Sequence, residues 1–256
     1  MDKPGLLTNE VDGLSEAQKV FAKDASEWED SGKSLLDVIK KVKPHVLVGT
    51  STQPGAFTEE VVKAMAEGTD RPVILPLSNP TRLHEAVPKD ILAWTDGKAL
   101  VATGSPFAPV RGPWGPDGEE TEIEVAECNN SVVFPGIGLG AVLCRARLMT
   151  DKMLVAAVRA LSALSPALED PRAPLLPGVE AVRPVSVRVA REVILAALAE
   201  GVATEPDVPA EPAELDDWIR EQMWNAEYRP LRRVRRASAS RKAKAELKVV
   251  GSLQED

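Results

Sequence analysis

Between residues 33 and 104 the chain alternates between two hydrophobic periods. Residues 34–42 carry apolar side chains at helical spacing and stop before Pro44, because the residue preceding a proline disfavours helix. The continuous apolar run at 45–49 is typical of a buried parallel strand. The same alternation continues along the chain. We expect a helix from Thr58 to Glu67, a strand at 72–77, a short helix after Pro88 and a strand at 99–103.

Strands alternating with helices over short connections predict right-handed crossovers and a parallel α/β sheet. In such sheets a ligand crevice lies at the carboxyl ends of the strands. The three expected strands end in small residues with hydroxyl or amide groups, which let a ligand approach the backbone and fix it there. These strand ends are Gly49-Thr50-Ser51, Ser78-Asn79-Pro80-Thr81 and Gly104-Ser105-Pro106-Phe107.

From residue 131 onward the pattern predicts helices joined by proline-rich loops. The expected helices are 141–147, 151–164, 186–199 and 213–224. We divide the chain into a first domain at 1–165, a helical segment at 166–228 and a basic tail at 229–256.

The composition is that of an ordinary globular protein, with 44% hydrophobic and 27% charged residues. Neither of the two cysteines has metal-ligand or disulfide spacing, which favours an intracellular protein. No run of about 18 apolar residues predicts a membrane span. Between Arg229 and Lys248 nine residues are Lys or Arg and one is acidic, but none is aromatic. We favour a solvated tail there over a nucleic-acid arm, which would need rings to stack on bases.

A glycine series at 136–140 suggests a dinucleotide-binding loop, but its third glycine comes one residue early and Pro135 interrupts the approach. We favour a tight turn with close helix packing over phosphate binding. The two histidines, His45 and His84, are too isolated to predict a metal site.

Asparagines are the sharper candidates for a binding site. Asn79 follows a predicted strand and precedes Pro80, and an amide there can both donate and accept hydrogen bonds. Asn129 and Asn130 stand together before an apolar segment. From the residues alone, asparagines in turns are more often turn-forming or helix-capping residues, so both interpretations stay open.

Five blocks of sequence, taken in order, favour a binding role for these asparagines over a turn or cap role. They are Asp2-Lys3-Pro4-Gly5-Leu6-Leu7 with Val20-Phe21-Ala22; residues 43–51 with Phe57-Thr58-Glu59; residues 71–81 with Glu85; Trp94-Thr95-Asp96-Gly97 with residues 103–107; and Asn129-Asn130 with residues 134–140. Their order resembles the malic enzyme family from Asp2 to about Pro230. The chain departs from the family pattern at Glu10-Val11 and in the acidic, proline-rich insertion at 111–127.

The resemblance implies an incomplete Rossmann-like, doubly wound parallel sheet followed by C-terminal helices. It also implies oxidative decarboxylation of (S)-malate to pyruvate and carbon dioxide, with NAD or NADP accepting the hydride and Mg or Mn polarising the substrate. The complete enzyme is expected to be a homo-oligomer located in mitochondria or cytoplasm. Neither a membrane nor a nucleic acid is an expected partner.

The family's residue roles carry over only to matching positions. The resemblance implies that Asn79, Asn129 and Asn130 bind malate. It implies that the cofactor contacts Asp2, Gln18, Gly49, Thr50, Ser51, Ser78 and Asn79. NADP-preferring members have a lysine at the position of Gln18, which favours NAD here, although Lys3 and Lys19 leave NADP open.

The resemblance also implies that the catalytic tyrosine and lysine, the metal-binding acids and the glycine-rich loop of the family precede Asp2. We therefore assign no catalytic and no metal-binding residue within the chain, and expect a fragment that is inactive alone. One alternative is a non-catalytic NAD-binding or regulatory partner of a complete enzyme. Another is a nucleic-acid module that uses the basic tail.

Overall fold

Short apolar segments of the chain form a parallel sheet, as the alternating pattern predicts. In the computed structural model, which describes residues 1–209 and 211–228, Val46 lies opposite Val73, and Val73 lies opposite Leu100. The strands in this register are β1 (Val46–Gly49), β2 (Val73–Pro76) and β3 (Leu100–Thr103). The predicted mixed α/β fold with a parallel sheet is confirmed.

The insertion at 111–127 contains strands that the sequence did not predict. β4 (Val110–Gly112) and β5 (Thr121–Ile123) form an antiparallel pair, and β6 (Ala126–Glu127) then pairs parallel with β3. The main sheet therefore has the order β1-β2-β3-β6. The insertion thus places the segment after β6 at the same edge of the sheet as the ends of β1, β2 and β3.

Helices flank the sheet and then form the C-terminal part. Ser34 and Thr58 cap two of them, each accepting a hydrogen bond from a backbone N–H in the first turn. The helices are α1 (Glu16–Lys19), α2 (Leu35–Val42), α3 (Glu59–Gly68), α4 (Pro88–Trp94), α5 (Phe134–Leu143), α6 (Asp151–Ser162), α7 (Val182–Ala199) and α8 (Pro212–Gln222).

One face of the sheet carries the core. Leu47, Ile74 and Val101 are neighbours across the strands and are buried against side chains of α2, α3 and α4. The opposite face is less covered in the described part of the chain, because Val46 and Val48 are 51% and 52% exposed. β1, expected to be a fully buried strand, is therefore buried on one face only.

The glycine series lies within a helix, which corrects the expected tight turn. Pro135 occupies the first turn of α5, where a proline removes no helical hydrogen bond. A Cβ added at Gly136 would lie 2.6 Å from Val189 Cβ, and one at Gly140 would lie 2.8 Å from the Ala190 carbonyl oxygen. The glycines thus allow α5 to lie close against α7.

The remaining helices agree in type with the prediction but differ at their ends. The expected helix at 141–147 is wrong in its second half, since α5 ends at Leu143 and Arg145 has a positive φ of 49°. α7 begins at Val182, four residues before the expected start. Residues Met1–Gln222 form one compact unit, whereas the basic tail at 229–256 lies outside the described residues. The division at residue 165 stays a prediction.

Candidate functional site

The loops that follow the parallel strands meet at one edge of the sheet. β1, β2, β3 and β6 all run in the same direction, so their carboxyl ends lie side by side. The strand-end residues proposed from the sequence belong to this edge. They are Gly49, Thr50, Ser51, Ser78 and Asn79, with Asn129 and Asn130 after β6.

A buried carboxylate joins the first two strand ends. Glu85 Oε1 accepts hydrogen bonds from the Ser51 amide at 2.7 Å, from Ser51 Oγ at 2.8 Å and from Ser78 Oγ at 2.5 Å. Ser78 Oγ in turn accepts a hydrogen bond from the Thr52 amide at 2.9 Å. The hydroxyls of Ser51 and Ser78 therefore bind a protein carboxylate in this structure.

Glu85 keeps its charge by hydrogen bonding. Burial raises the pKa of its carboxyl, but hydrogen bonds from Ser78 and Ser51 outweigh burial and hold the pKa below its ordinary value. Sequence analysis did not single out Glu85 as a site residue. The available signal was an acid shortly after the second strand end, but its hydrogen-bond partners Ser51 and Ser78 lie 34 and 7 residues away in the sequence.

The neighbouring His84 has a structural role. Its ring is 4% exposed and packs against Phe107, with ring centroids 5.2 Å apart and tilted by 59°. Burial lowers the pKa of His84, against the opposing effect of the Glu85 charge. A neutral imidazole therefore links the loop after β2 to the loop after β3.

The amide of Asn79 is held by the third strand end. Ser105 Oγ donates a hydrogen bond to Asn79 Oδ1 at 2.5 Å, and the Asn79–Pro80 peptide bond is cis. The Nδ2 of this amide lies beside Gly104, where an added Cβ would be 3.0 Å away from it. Sequence analysis named Ser105 only as part of a strand end, not as the partner of Asn79.

Asn129 has the capping role that asparagines in turns often have. Its Oδ1 accepts a hydrogen bond from the Ser131 amide at 3.0 Å, and its Nδ2 donates to Glu127 Oε1 at 3.3 Å. Asn130 begins the short 3-10 helix that Asn129 caps, and it is exposed. β3 lies between β2 and β6, so strand spacing separates the starting points of the Asn79 and Asn129 loops by about 10 Å.

Asp2 and Gln18 form a second cluster. Gln18 Oε1 accepts a hydrogen bond from the Ser15 amide at 2.9 Å in a capping box, which leaves its amide nitrogen to donate to Asp2 Oδ2 at 2.6 Å. The bond from Gln18, followed by one from the Lys3 amide, holds the pKa of Asp2 below its ordinary value. Asp2 is exposed, whereas Gln18 is half-buried.

The described residues form neither a cluster of metal-ligating side chains nor a membrane-spanning helix. Within residues 1–209 and 211–228, no group of three or more His, Cys, Asp or Glu side chains is arranged to hold a metal ion. No helix in that part of the chain has both the length and the hydropathy that a membrane crossing requires.

Comparisons with known proteins point to one family. Residues 1–198 match the family model described as "Malic enzyme, NAD binding domain". The chain is 48% identical to the mitochondrial NAD-dependent malic enzyme of Saccharomyces cerevisiae over 91% of its own length and 36% of that protein. It is 43% identical to NAD-dependent malic enzyme 3 of Bacillus subtilis over 91% of its own length and 40% of that protein. The chain thus spans well under half the length of these curated relatives.

Solved structures show the same fold. The crystal structure of Entamoeba histolytica malic enzyme aligns with a TM-score of 0.66 at 24% identity, covering 86% of this chain and 40% of that one. The malic enzyme from Pyrococcus horikoshii aligns with a TM-score of 0.57 at 23% identity, covering 81% of this chain and 42% of that one. Because the family model covers most of the chain and the parallel sheet agrees with it, this protein belongs to the malic enzyme family, in which it matches the NAD-binding domain.

Proposed function

We propose that this chain binds NAD at the carboxyl edge of its parallel sheet and works as the cofactor-binding part of a malic enzyme. The observation that carries the proposal is the meeting of three strand ends at one edge, where Asn79 is fixed by Ser105. Backbone at Gly49, Thr50 and Ser51 would line the cofactor, because small residues allow close approach. The Ser51 and Ser78 hydroxyls would shape this lining through Glu85.

The hydrogen-bonded Asp2–Gln18 pair supports a role in ribose recognition. A carboxylate that stays charged at neutral pH can accept hydrogen bonds from the two ribose hydroxyls of NAD. The same charge repels the extra phosphate of NADP, and the neutral Gln18 amide offers that phosphate no charge-assisted bond. We therefore propose NAD as the cofactor, in preference to NADP.

For the substrate we propose malate, held by Asn79, Asn129 and Asn130. Asn79 presents Nδ2, which can donate to a carboxylate or hydroxyl oxygen. Asn129 would have to exchange its bond to Glu127 for one to the ligand, and that bond is long at 3.3 Å. NAD would accept the hydride when malate is oxidised, and decarboxylation would then give pyruvate.

Turnover is proposed to require residues outside these 256. Curated relatives at 43–48% identity are covered over only 36–40% of their length, and the metal-dependent chemistry of the family needs ligands that the described residues do not group together. We propose that the ligands of Mg or Mn belong to the part of the complete enzyme outside the described residues. In the complete enzyme we propose a homo-oligomer in mitochondria or cytoplasm, compartments compatible with the yeast mitochondrial and the bacterial relatives.

The test separates binding from turnover. Isothermal titration of the purified chain with NAD should show saturable binding, and NADP should bind more weakly. Assay of the same preparation with malate, Mn and NAD should show no NADH formation. Absence of NAD binding at millimolar concentration would refute the binding role, whereas NADH production would refute the need for residues outside the chain.

A second candidate is a non-catalytic partner of a complete enzyme, favoured by the exposed apolar side chains of Val46 and Val48. Exposed apolar surface on a sheet face is typical of contact surfaces. Mixing the chain with a complete malic enzyme and following co-elution would decide, because a chain that elutes alone at all ratios excludes this role.

A further inference from the structure

Glu85 is a fully buried acid that contacts both the loop after β1 and the loop after β2. It follows the 3-10 helix Thr81–Leu83, is fully buried, and its backbone carbonyl accepts a hydrogen bond from the Phe57 amide at 3.0 Å. Its side chain thereby lies beneath the loops that leave β1 and β2. Both loops belong to the crevice where NAD is proposed to bind.

A single carboxylate oxygen accepts hydrogen bonds from both loops. Glu85 Oε1 accepts from the amide and hydroxyl of Ser51 in the first loop and from the hydroxyl of Ser78 in the second. The Thr52 amide donates to Ser78 Oγ at 2.9 Å, which adds a direct cross-link between the loops. Removal of this one carboxylate would therefore take away the acceptor of three of these four hydrogen bonds and leave only the Thr52–Ser78 bond between the loops.

Gly49 is shaped to fit this carboxylate. A Cβ at Gly49 would lie 2.6 Å from Glu85 Cδ and 2.7 Å from Oε2, so the last residue of β1 cannot carry a side chain while Glu85 keeps its place. The glycine at this strand end is thus explained by a protein contact, independently of any ligand.

The second carboxylate oxygen is buried without a hydrogen-bond partner among the described residues. Among the described residues no Lys or Arg forms a salt bridge with Glu85, so hydroxyl and amide dipoles compensate its charge. Burying a charge costs desolvation free energy, and an apolar side chain would fill the same space without that cost. Locally unfavourable features such as a buried charge are found mainly at functional sites, where a protein must hold one geometry.

We propose that Glu85 is a positioning residue, whose ionised carboxylate ties the loop after β1 to the loop after β2 and so fixes the width of the crevice. The link to NAD rests on the proposed function, but the tie itself is a property of the free chain. Glu85 acts through Ser51 and Ser78 and does not touch the cofactor.

Hydrogen exchange of single amides tests the tie. In Glu85→Gln the amide group keeps the shape of the carboxylate but brings an NH2 group to a buried place without an acceptor. The Ser51 and Thr52 amides should then exchange about tenfold faster, whereas the Val62 amide, bonded within α3 to Thr58, should be unchanged. Glu67→Gln, the same change at an exposed acid of α3, should leave all three amides as in the wild type.

Two results would overturn the proposal. If the amides of Ser51, Thr52 and Val62 all exchange faster by the same factor in Glu85→Gln, Glu85 supports only global stability. If the exchange rates of Ser51 and Thr52 do not change, Glu85 does not tie the loops together. If Glu85→Gln does not fold, Ser78→Ala replaces it, because it removes the acceptor of the Thr52 amide while Glu85 stays. The exchange rate of the Thr52 amide should then rise while that of the Val62 amide stays the same. An unchanged exchange rate of Thr52 would refute the tie.

Binding measurements test the consequence for the crevice. If the wild type binds NAD, Glu85→Gln should raise the dissociation constant about tenfold, and Glu67→Gln should leave it unchanged. Wild-type affinity in Glu85→Gln would contradict the proposal. If the wild-type chain does not bind NAD, the proposed function fails, and the exchange of Ser51 and Thr52 alone decides whether Glu85 positions the loops.

Discussion

Gln18 donates a hydrogen bond from Nε2 to Asp2 Oδ2 across 2.6 Å, which joins a half-buried glutamine to an exposed aspartate 16 positions earlier in the chain. The capping box of α1 fixes the Gln18 side chain, because its Oε1 already accepts from the Ser15 amide. The orientation of this amide toward Asp2 therefore follows from local helix capping. The bond lowers the pKa of Asp2, and the glutamine that donates it carries no charge.

A lysine at position 18 should shift cofactor preference. Gln18→Lys introduces a cation beside Asp2, so the affinity for NADP should rise on the order of fivefold, the range of an exposed charge pair. Titration with NAD and NADP measures the change. Because the hydrogen bond from Gln18 holds the pKa of Asp2 below its ordinary value, the carboxylate is charged across neutral pH, and its titration should not alter the NAD preference of the wild type there.

The matched control is Gln222→Lys, the same change on the exposed surface of α8. It should leave both dissociation constants as in the wild type. Equal gains in NADP affinity from the two lysines would show a nonspecific effect of net charge and would contradict a ribose-binding role for the Asp2–Gln18 pair.

Gly49→Ala should destabilise the fold through Glu85. The new Cβ would meet the carboxylate at 2.6 Å, so either β1 or the buried charge must shift, at a cost of about 1–3 kcal/mol in the free energy of unfolding. Urea unfolding measures this cost. In a Glu85→Ala background the carboxylate is gone, so the same glycine substitution should cost much less; equal costs in both backgrounds would show that the two residues do not interact.

The sequence predicted those parts of the fold that depend on local signals. Ser34, Thr58 and Pro88 mark helix starts that the structure confirms, because caps and a first-turn proline act within a few residues. β4, β5 and β6 were missed, since they have only three, three and two residues. β6 is defined by its pairing with β3, and short distant pairings leave little trace in a local pattern.

The candidate site was predictable in its position but not in its contacts. Strand ends rich in small polar residues located the edge of the sheet. The hydrogen bonds from Ser51 to Glu85 and from Ser105 to Asn79 span 34 and 26 residues, and no periodicity reports such contacts. The roles of Asn129 and Asn130 at a ligand, assigned by resemblance, remain a prediction.

Glu85 should contribute stability that depends on pH. Its folded-state pKa is depressed, so its contribution is present above the unfolded value near 4.5 and is lost as pH falls through the lower folded value. The difference in unfolding free energy between wild type and Glu85→Gln should therefore be larger at about pH 7 than at about pH 3.5. Urea titrations at both pH values measure it, and a difference that grows toward acid would mean that the folded pKa is raised.

Two glycines of α5 should respond in opposite ways to alanine. A Cβ at Gly140 would meet the backbone oxygen of Ala190 at 2.8 Å and Val193 Cβ at 2.9 Å, so α5 and α7 must separate. Gly140→Ala should cost about 1–3 kcal/mol, as overpacked cores do. Gly138 has no neighbour within 4 Å, so Gly138→Ala should stabilise the helix by up to about 1 kcal/mol through its higher helix propensity. Thermal unfolding of the two variants gives the comparison, and destabilisation by both would show that these glycines serve a turn or a ligand rather than helix contact.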